Sequence, residues 1–217
     1  IDTDGIGAAV VEYSNWQARS DALEIRMSEQ LWEPASFSFE KIDATDVRVM
    51  SYNVLLDNPF KGSIEPYFRR IFQAIKPDII GIQEVYDHSS QEIANLVEFW
   101  LPSGSDQVWY HSGHRAGLGD NHLVSRYPIE AAYVIDKDTN AYMLDVLGVR
   151  TLVLVSHPPC CGNDDGRRVA FNNMMKFVKQ VKNGEGPIAF RLQDKTPIII
   201  TGDMNLVRNS DQQRTLV

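Results

Sequence analysis

Residues 47–53 mix apolar and polar side chains as an extended segment does, and Phe68, Ile71, Phe72 and Ile75 then fall at helical spacing. Lys76-Pro77-Asp78 ends that helix, because proline disfavours helical geometry in the residue before it. The run Ile79-Ile80-Gly81-Ile82 has no alternation, which predicts a short strand buried on both faces and ending at Gln83-Glu84. A second helix is predicted over 90–100, while Gly104 and residues 113–119 read as loops. Further strands are predicted at 108–111, 122–125, 131–135 and 149–157. So few helices intervene that antiparallel pairing is expected there. Ala170, Met174, Phe177, Val178 and Val181 share one face of a third helix stopped by Gly184, and residues 197–203 return as a strand. The pattern predicts an α/β (α+β) chain, a mixed-sheet sandwich covered by helices.

Residues 1–46 differ in character. A turn at Asp2-Thr3-Asp4-Gly5 precedes alternation at 22–27 and again at 36–39. This reads as a β-rich segment, the tail of an upstream β-sandwich plus linker, leaving 47–217 as the main domain. The N-terminus is neither a signal peptide nor a Met start, so a cut or processed beginning is expected and the residues leave the compartment open.

Composition changes this picture only at its edges. A net charge of −8 argues against gripping nucleic acid by a broad basic surface, without excluding a nuclease that screens phosphate with metal. No apolar run approaches the length of a membrane span. The two cysteines, Cys160 and Cys161, are adjacent, which is poor geometry for bridging to each other and gives no disulfide framework.

Candidate chemistry gathers at strand ends. Thr201-Gly202-Asp203-Met204-Asn205 follows an apolar strand and sets a carboxylate and a carboxamide two positions apart, suited to a phosphate and a metal. Glu84 ends a buried strand, where an ionised carboxylate needs a cation or donors; a salt bridge or a hard divalent ion meets that need. Asn53 either holds a turn or orients a ligand. His157 ends the apolar run at 152–155 and is either a satisfied core histidine or a donor to a phosphoryl oxygen. Arg126, in Ser-Arg-Tyr-Pro, is either solvated or a fork for a phosphate, and Arg167 and Arg168 are either anion donors or ordinary first-turn residues. The spacing of His111, His114 and His122 disfavours zinc. A nucleotide-binding α/β fold would need a Gly-rich turn after the first strand, which residues 53–62 do not supply.

Taken in order, Ser51-Tyr52-Asn53-Val54, Pro77-Asp78-Ile79-Ile80-Gly81-Ile82-Gln83-Glu84-Val85, Ser125-Arg126-Tyr127-Pro128-Ile129, Ser156-His157 and Gly202-Asp203-Met204-Asn205 resemble the endonuclease/exonuclease/phosphatase superfamily. The resemblance implies a four-layer sandwich, two facing mixed sheets flanked by helices, and phosphodiester or phosphomonoester hydrolysis by in-line attack of an activated water. It implies Mg²⁺, with Mn²⁺ as the substitute, on Glu84 and Asn53. Asp203, Asn205 and His157 would be catalytic, and Arg126 with Asn53 would bind the substrate phosphate. The loops 86–90, 112–121 and 158–166 would line the cleft. Family members carry a further Asp and a closing Asp-His pair after the Gly-Asp-x-Asn segment. This chain stops at Val217, so it is expected to be truncated there, with an incomplete fold and apparatus. The competing expectation is a non-catalytic member that binds a phosphate ligand or a partner.

Overall fold

The computed structural model describes residues 26–27, 30–31, 41, 43, 45–105, 107–116 and 119–206, without the side chains of 26–27, 30–31, 114–116 and 119–120. The chain divides into two units, Ile1–Ser38 and Phe39–Val217. In the first, β1 (Arg26–Met27) pairs antiparallel with β2 (Gln30–Leu31). The alternation noted at 36–39 lies outside the described residues.

In the second unit the described residues form two four-stranded mixed sheets and three α-helices. One sheet runs in the order β3 (Val49–Asn53), β4 (Ile79–Gln83), β6 (Gly119–Ser125), β5 (Tyr110–Ala116). The other runs β10 (Ile198–Gly202), β9 (Val149–Ser156), β8 (Thr139–Val146), β7 (Ile129–Asp136). Each sheet has one parallel pair, β3 with β4 and β10 with β9, and all its other pairings are antiparallel.

The period of two along the strands builds the layers. Ile80 and Ile82 point to a core shared with Phe68 and Phe72 of α1 (Glu65–Ile75) and with Ile93, Val97 and Trp100 of α2 (Ser90–Trp100). Their neighbour Ile79 points the other way and packs with Leu123 against Tyr142, Leu144, Val153 and Val155 of the second sheet. Leu152 and Leu154 face the far side, onto Phe171, Met174, Phe177 and Val181 of α3 (Asp164–Lys182). The result is the four-layer order helix, sheet, sheet, helix, as the resemblance implies.

Local signals explain the helix ends. Ser89 and Glu92 close a reciprocal capping box on α2. Asn163 caps α3 by accepting from the Gly166 N–H, and Lys76 ends α1 in a left-handed conformation before Pro77. Two features depart from the sequence reading. The loop expected at 113–119 is largely the arms of β5 and β6; Gly113 is there because the His122 ring fills the space a Cβ would need. Strand β8 was not expected, since it opens on two polar residues, Thr139 and Asn140, and its apolar run is only four residues long before Asp145. Both polar groups are paired, Thr139 with the Ser156 hydroxyl and Asn140 with the Asn121 carbonyl, so the strand is buried at little cost.

Candidate active site

The parallel pairs place four strand ends on one side of the sandwich. Asn53 ends β3 and Glu84 follows β4, while His157 follows β9 and Asp203 follows β10. Gly202 makes the last placement feasible: its φ is +142° and a Cβ there would sit 1.8 Å from the Ser156 carbonyl oxygen.

Asn53 is the centre of the arrangement. Its Oδ1 accepts from the Leu55 N–H at 3.0 Å, which fixes the amide plane. Its Nδ2 then donates to Glu84 Oε1 at 2.7 Å and to Asp203 Oδ2 at 3.0 Å. His157 Nε2 lies 3.7 Å from Glu84 Oε1 and 4.0 Å from Asp203 Oδ2, with its main-chain N–H on the Asp138 carbonyl. Two carboxylates thus converge on one amide and one imidazole. The Glu84 side chain is only 17% exposed and that of Asp203 36%, so water screens the pair from one side only.

Asn205 does not join this cluster through its amide. Its N–H donates to Asp203 Oδ1, leaving Oδ2 toward the cluster, and its Nδ2 donates to the Pro158 carbonyl. It braces the segment after His157. Arg126, expected at the substrate phosphate, is not brought to this cluster. Strand β6 runs antiparallel to β4, so Ser125 pairs with Ile79 and Arg126 lies at the opposite end from Glu84. There it lies over the Trp109 ring at 3.8 Å and donates to Ser103 Oγ and the Leu101 carbonyl. Arg167 is fully buried and is spent on the Pro159 carbonyl and Asp164, while exposed Arg168 pairs with Asp165. His111 bonds Ser90 and Gln91, His122 contacts the Val85 carbonyl, and the side chain of His114 lies outside the described residues. Cys160 and Cys161 are free and exposed.

Two residues escaped the sequence reading. Asp57 is buried behind Glu84; burial pushes its carboxyl up, but His88 and the N–H groups of Tyr86 and Asp87 outweigh this and hold it below the usual carboxylate range. Asp138 sits in the charged run Asp136-Lys137-Asp138, yet its carbonyl receives the His157 N–H, the Asn121 amide and the Ser156 hydroxyl. Burial raises its carboxyl above the usual range, against the pull of Lys137 and the nearby His157.

Among the described residues no group of three or more His, Cys, Asp or Glu could hold a metal ion. The donors present fit a hard cation that needs only one or two carboxylate oxygens and completes its shell with water and phosphate. Glu84 with the Asn53 amide, and Asp203 close by as a second negative charge, fit such a cation.

The sequence of residues 50–216 matches the endonuclease/exonuclease/phosphatase family. The chain belongs to that family. Its structure resembles the human Nocturnin catalytic domain with bound sulfate anion, at TM-score 0.58 and 16% identity over 78% of this chain and 68% of that one. It also resembles a mannosyl-6-phosphatase from Bacteroides thetaiotaomicron, at TM-score 0.57 and 15% identity over 79% and 70%. TDP2 from Caenorhabditis elegans matches at TM-score 0.55 and 18% identity over 74% of this chain, which spans about half (48%) of that one. At these identities the likeness carries the family fold. None of the curated protein sequences matches the chain. No helix among the described residues is long and apolar enough to cross a membrane.

Proposed function

We propose that the protein hydrolyses a phosphoester, either a diester or a monoester, with a divalent cation held at Glu84 and Asn53. The observation that carries this reading is the pairing of Glu84 and Asp203 on the single Asn53 amide, with His157 beside both. Two like charges this close favour a cation between or beside them. Mg²⁺, or Mn²⁺ in its place, would offset the charge of the phosphoryl oxygens when bound.

The chain's own groups supply the rest. Asp203 Oδ2, turned toward the cluster because Oδ1 is taken by the Asn205 N–H, accepts a proton from the attacking water beside its bond from Asn53. Asn53 fixes both carboxylates and presents its amide to a phosphoryl oxygen as these bonds rearrange. His157 Nε2 donates to a phosphoryl oxygen, held in place by the Asp138 carbonyl at its main chain. Asn205 acts by bracing Asp203 and the Pro158 segment. Arg126 has no part. The acidic balance favours a compact phosphoester over a long nucleic acid.

The test is hydrolysis of bis-p-nitrophenyl phosphate and p-nitrophenyl phosphate by the full-length protein with Mg²⁺, with Mn²⁺ and with chelator. The reading requires activity that chelator abolishes and that Glu84→Gln and Asp203→Asn each reduce sharply. Wild-type rates in both variants, or no turnover of either ester with either ion, overturn it.

A further inference from the structure

Glu84 holds its carboxylate in an unusual backbone conformation, with φ at +64°. A residue with a side chain in this left-handed region is strained and persists only where the surroundings over-determine it. The strand ladder does not do so, because the last main-chain bond of the pair is the Val54 N–H on the Gln83 carbonyl, one residue short.

The constraint comes from the loop after Asn53. Leu55, Leu56 and Asp57 are all left-handed, with φ of 52°, 55° and 56° and no glycine among them. This turn brings the Asp57 N–H to the Glu84 carbonyl at 3.1 Å. It also drives the Asp57 side chain beneath the segment following Glu84, where the residue is only 8% exposed. Its carboxylate accepts from the Tyr86 N–H at 3.0 Å, the Asp87 N–H at 3.2 Å and His88 Nδ1 at 2.9 Å. The His88 ring lies flat on Phe60, with centroids 3.6 Å apart and planes 1° from parallel, and the Phe60 N–H returns to the Asp57 carbonyl at 3.0 Å. Asp57 therefore grips the chain as it leaves Glu84, at the carbonyl of 84 and at the amides of 86 and 87, while the Val54 N–H holds the Gln83 carbonyl just before it.

We infer that Asp57 is a positioning residue for Glu84, holding the left-handed backbone that aims the Glu84 carboxylate at Asn53 and Asp203. This rests on the phosphoesterase reading for its consequence in turnover, but not for the clamp itself. An exposed turn would satisfy its N–H groups with water; burying a carboxylate to collect three donors is worthwhile where one geometry must be held.

The experiment compares Asp57→Ala and Asp57→Asn with wild type in the full-length protein, by steady-state kinetics on bis-p-nitrophenyl phosphate, amide hydrogen exchange and Mn²⁺ binding by electron paramagnetic resonance. Asp57→Ala should lower kcat about 10–100-fold with KM within about twofold, weaken Mn²⁺ binding by a similar factor, and speed exchange at Tyr86 and Asp87 about tenfold or more. Asp57→Asn keeps one acceptor oxygen and should recover part of each effect. If Asp57→Ala does not fold, Asp57→Asn carries the comparison. A variant that unfolds at lower temperature but keeps wild-type kcat and Mn²⁺ affinity overturns the positioning role. An inactive wild type overturns the phosphoesterase reading instead, and unchanged exchange at Tyr86 and Asp87 then still rejects the clamp.

Discussion

Strand β4 has a charged group at each end, and the two ends treat charge in opposite ways. At its start, Asp78 takes the Lys41 ammonium at 2.8 Å and the Arg48 N–H, and Arg126 is stacked on Trp109 with two further acceptors. Burial lowers the Arg126 pKa while Glu98 and Asp78 oppose the shift, so the charge is held by neighbours of opposite sign. At its other end, Glu84 meets Asp203 across one neutral amide, with the His157 imidazole beside them. One end is electrostatically closed and structural. Among the described residues the other carries negative charge without a matching protein cation, on a backbone held out of its preferred region, which is what the proposed cation site requires.

Substitutions at the two ends sharpen that contrast. Glu84→Gln should give the largest change, a loss of turnover on the order of 10³-fold, since it removes a charge rather than a contact. Asn53→Ala should cost about 10–100-fold, because both carboxylates lose their shared donor while remaining in place. Arg126→Ala should leave turnover within about twofold yet destabilise the fold by about 2 kcal/mol, read by denaturant unfolding, as the stack on Trp109 and two hydrogen bonds go. A loss of turnover there, with stability intact, would break the contrast.

Asp138→Asn should have the smallest effect. The Asp138 carboxyl is raised in the folded state, so its ionisation opposes folding once the pH is above that raised value, and the opposition vanishes when both states are protonated. The variant should be slightly more stable than wild type at pH 7 and lose its advantage as the pH falls below about 4, where the unfolded carboxyl is protonated too. Unfolding at the two pH values checks this.

The difference between the two ends also shows what the sequence could convey. The continuous apolar run 79–82 announces a buried strand, and a carboxylate at its end announces a need for compensation. The meeting of Asn53, Glu84, His157 and Asp203 was legible only through the resemblance carried by their order, and the structure brings them together because all four close parallel pairs. Strand direction was not legible. Arg126 ends a strand as the others do, but that strand is antiparallel, so its end is the wrong end. Strand β8 was hidden by polar residues whose partners lie on other strands, Asn121 and Ser156. Asp57 was hidden because nothing in Leu-Leu-Asp signals three consecutive left-handed residues, a conformation that glycine normally marks.

The most direct measurement is a calorimetric titration of Mg²⁺ or Mn²⁺ into the full-length protein, without substrate, for wild type, Glu84→Gln and Arg126→Ala. The account predicts a binding site that Glu84→Gln abolishes and Arg126→Ala leaves intact. Equal binding by wild type and Glu84→Gln would contradict it.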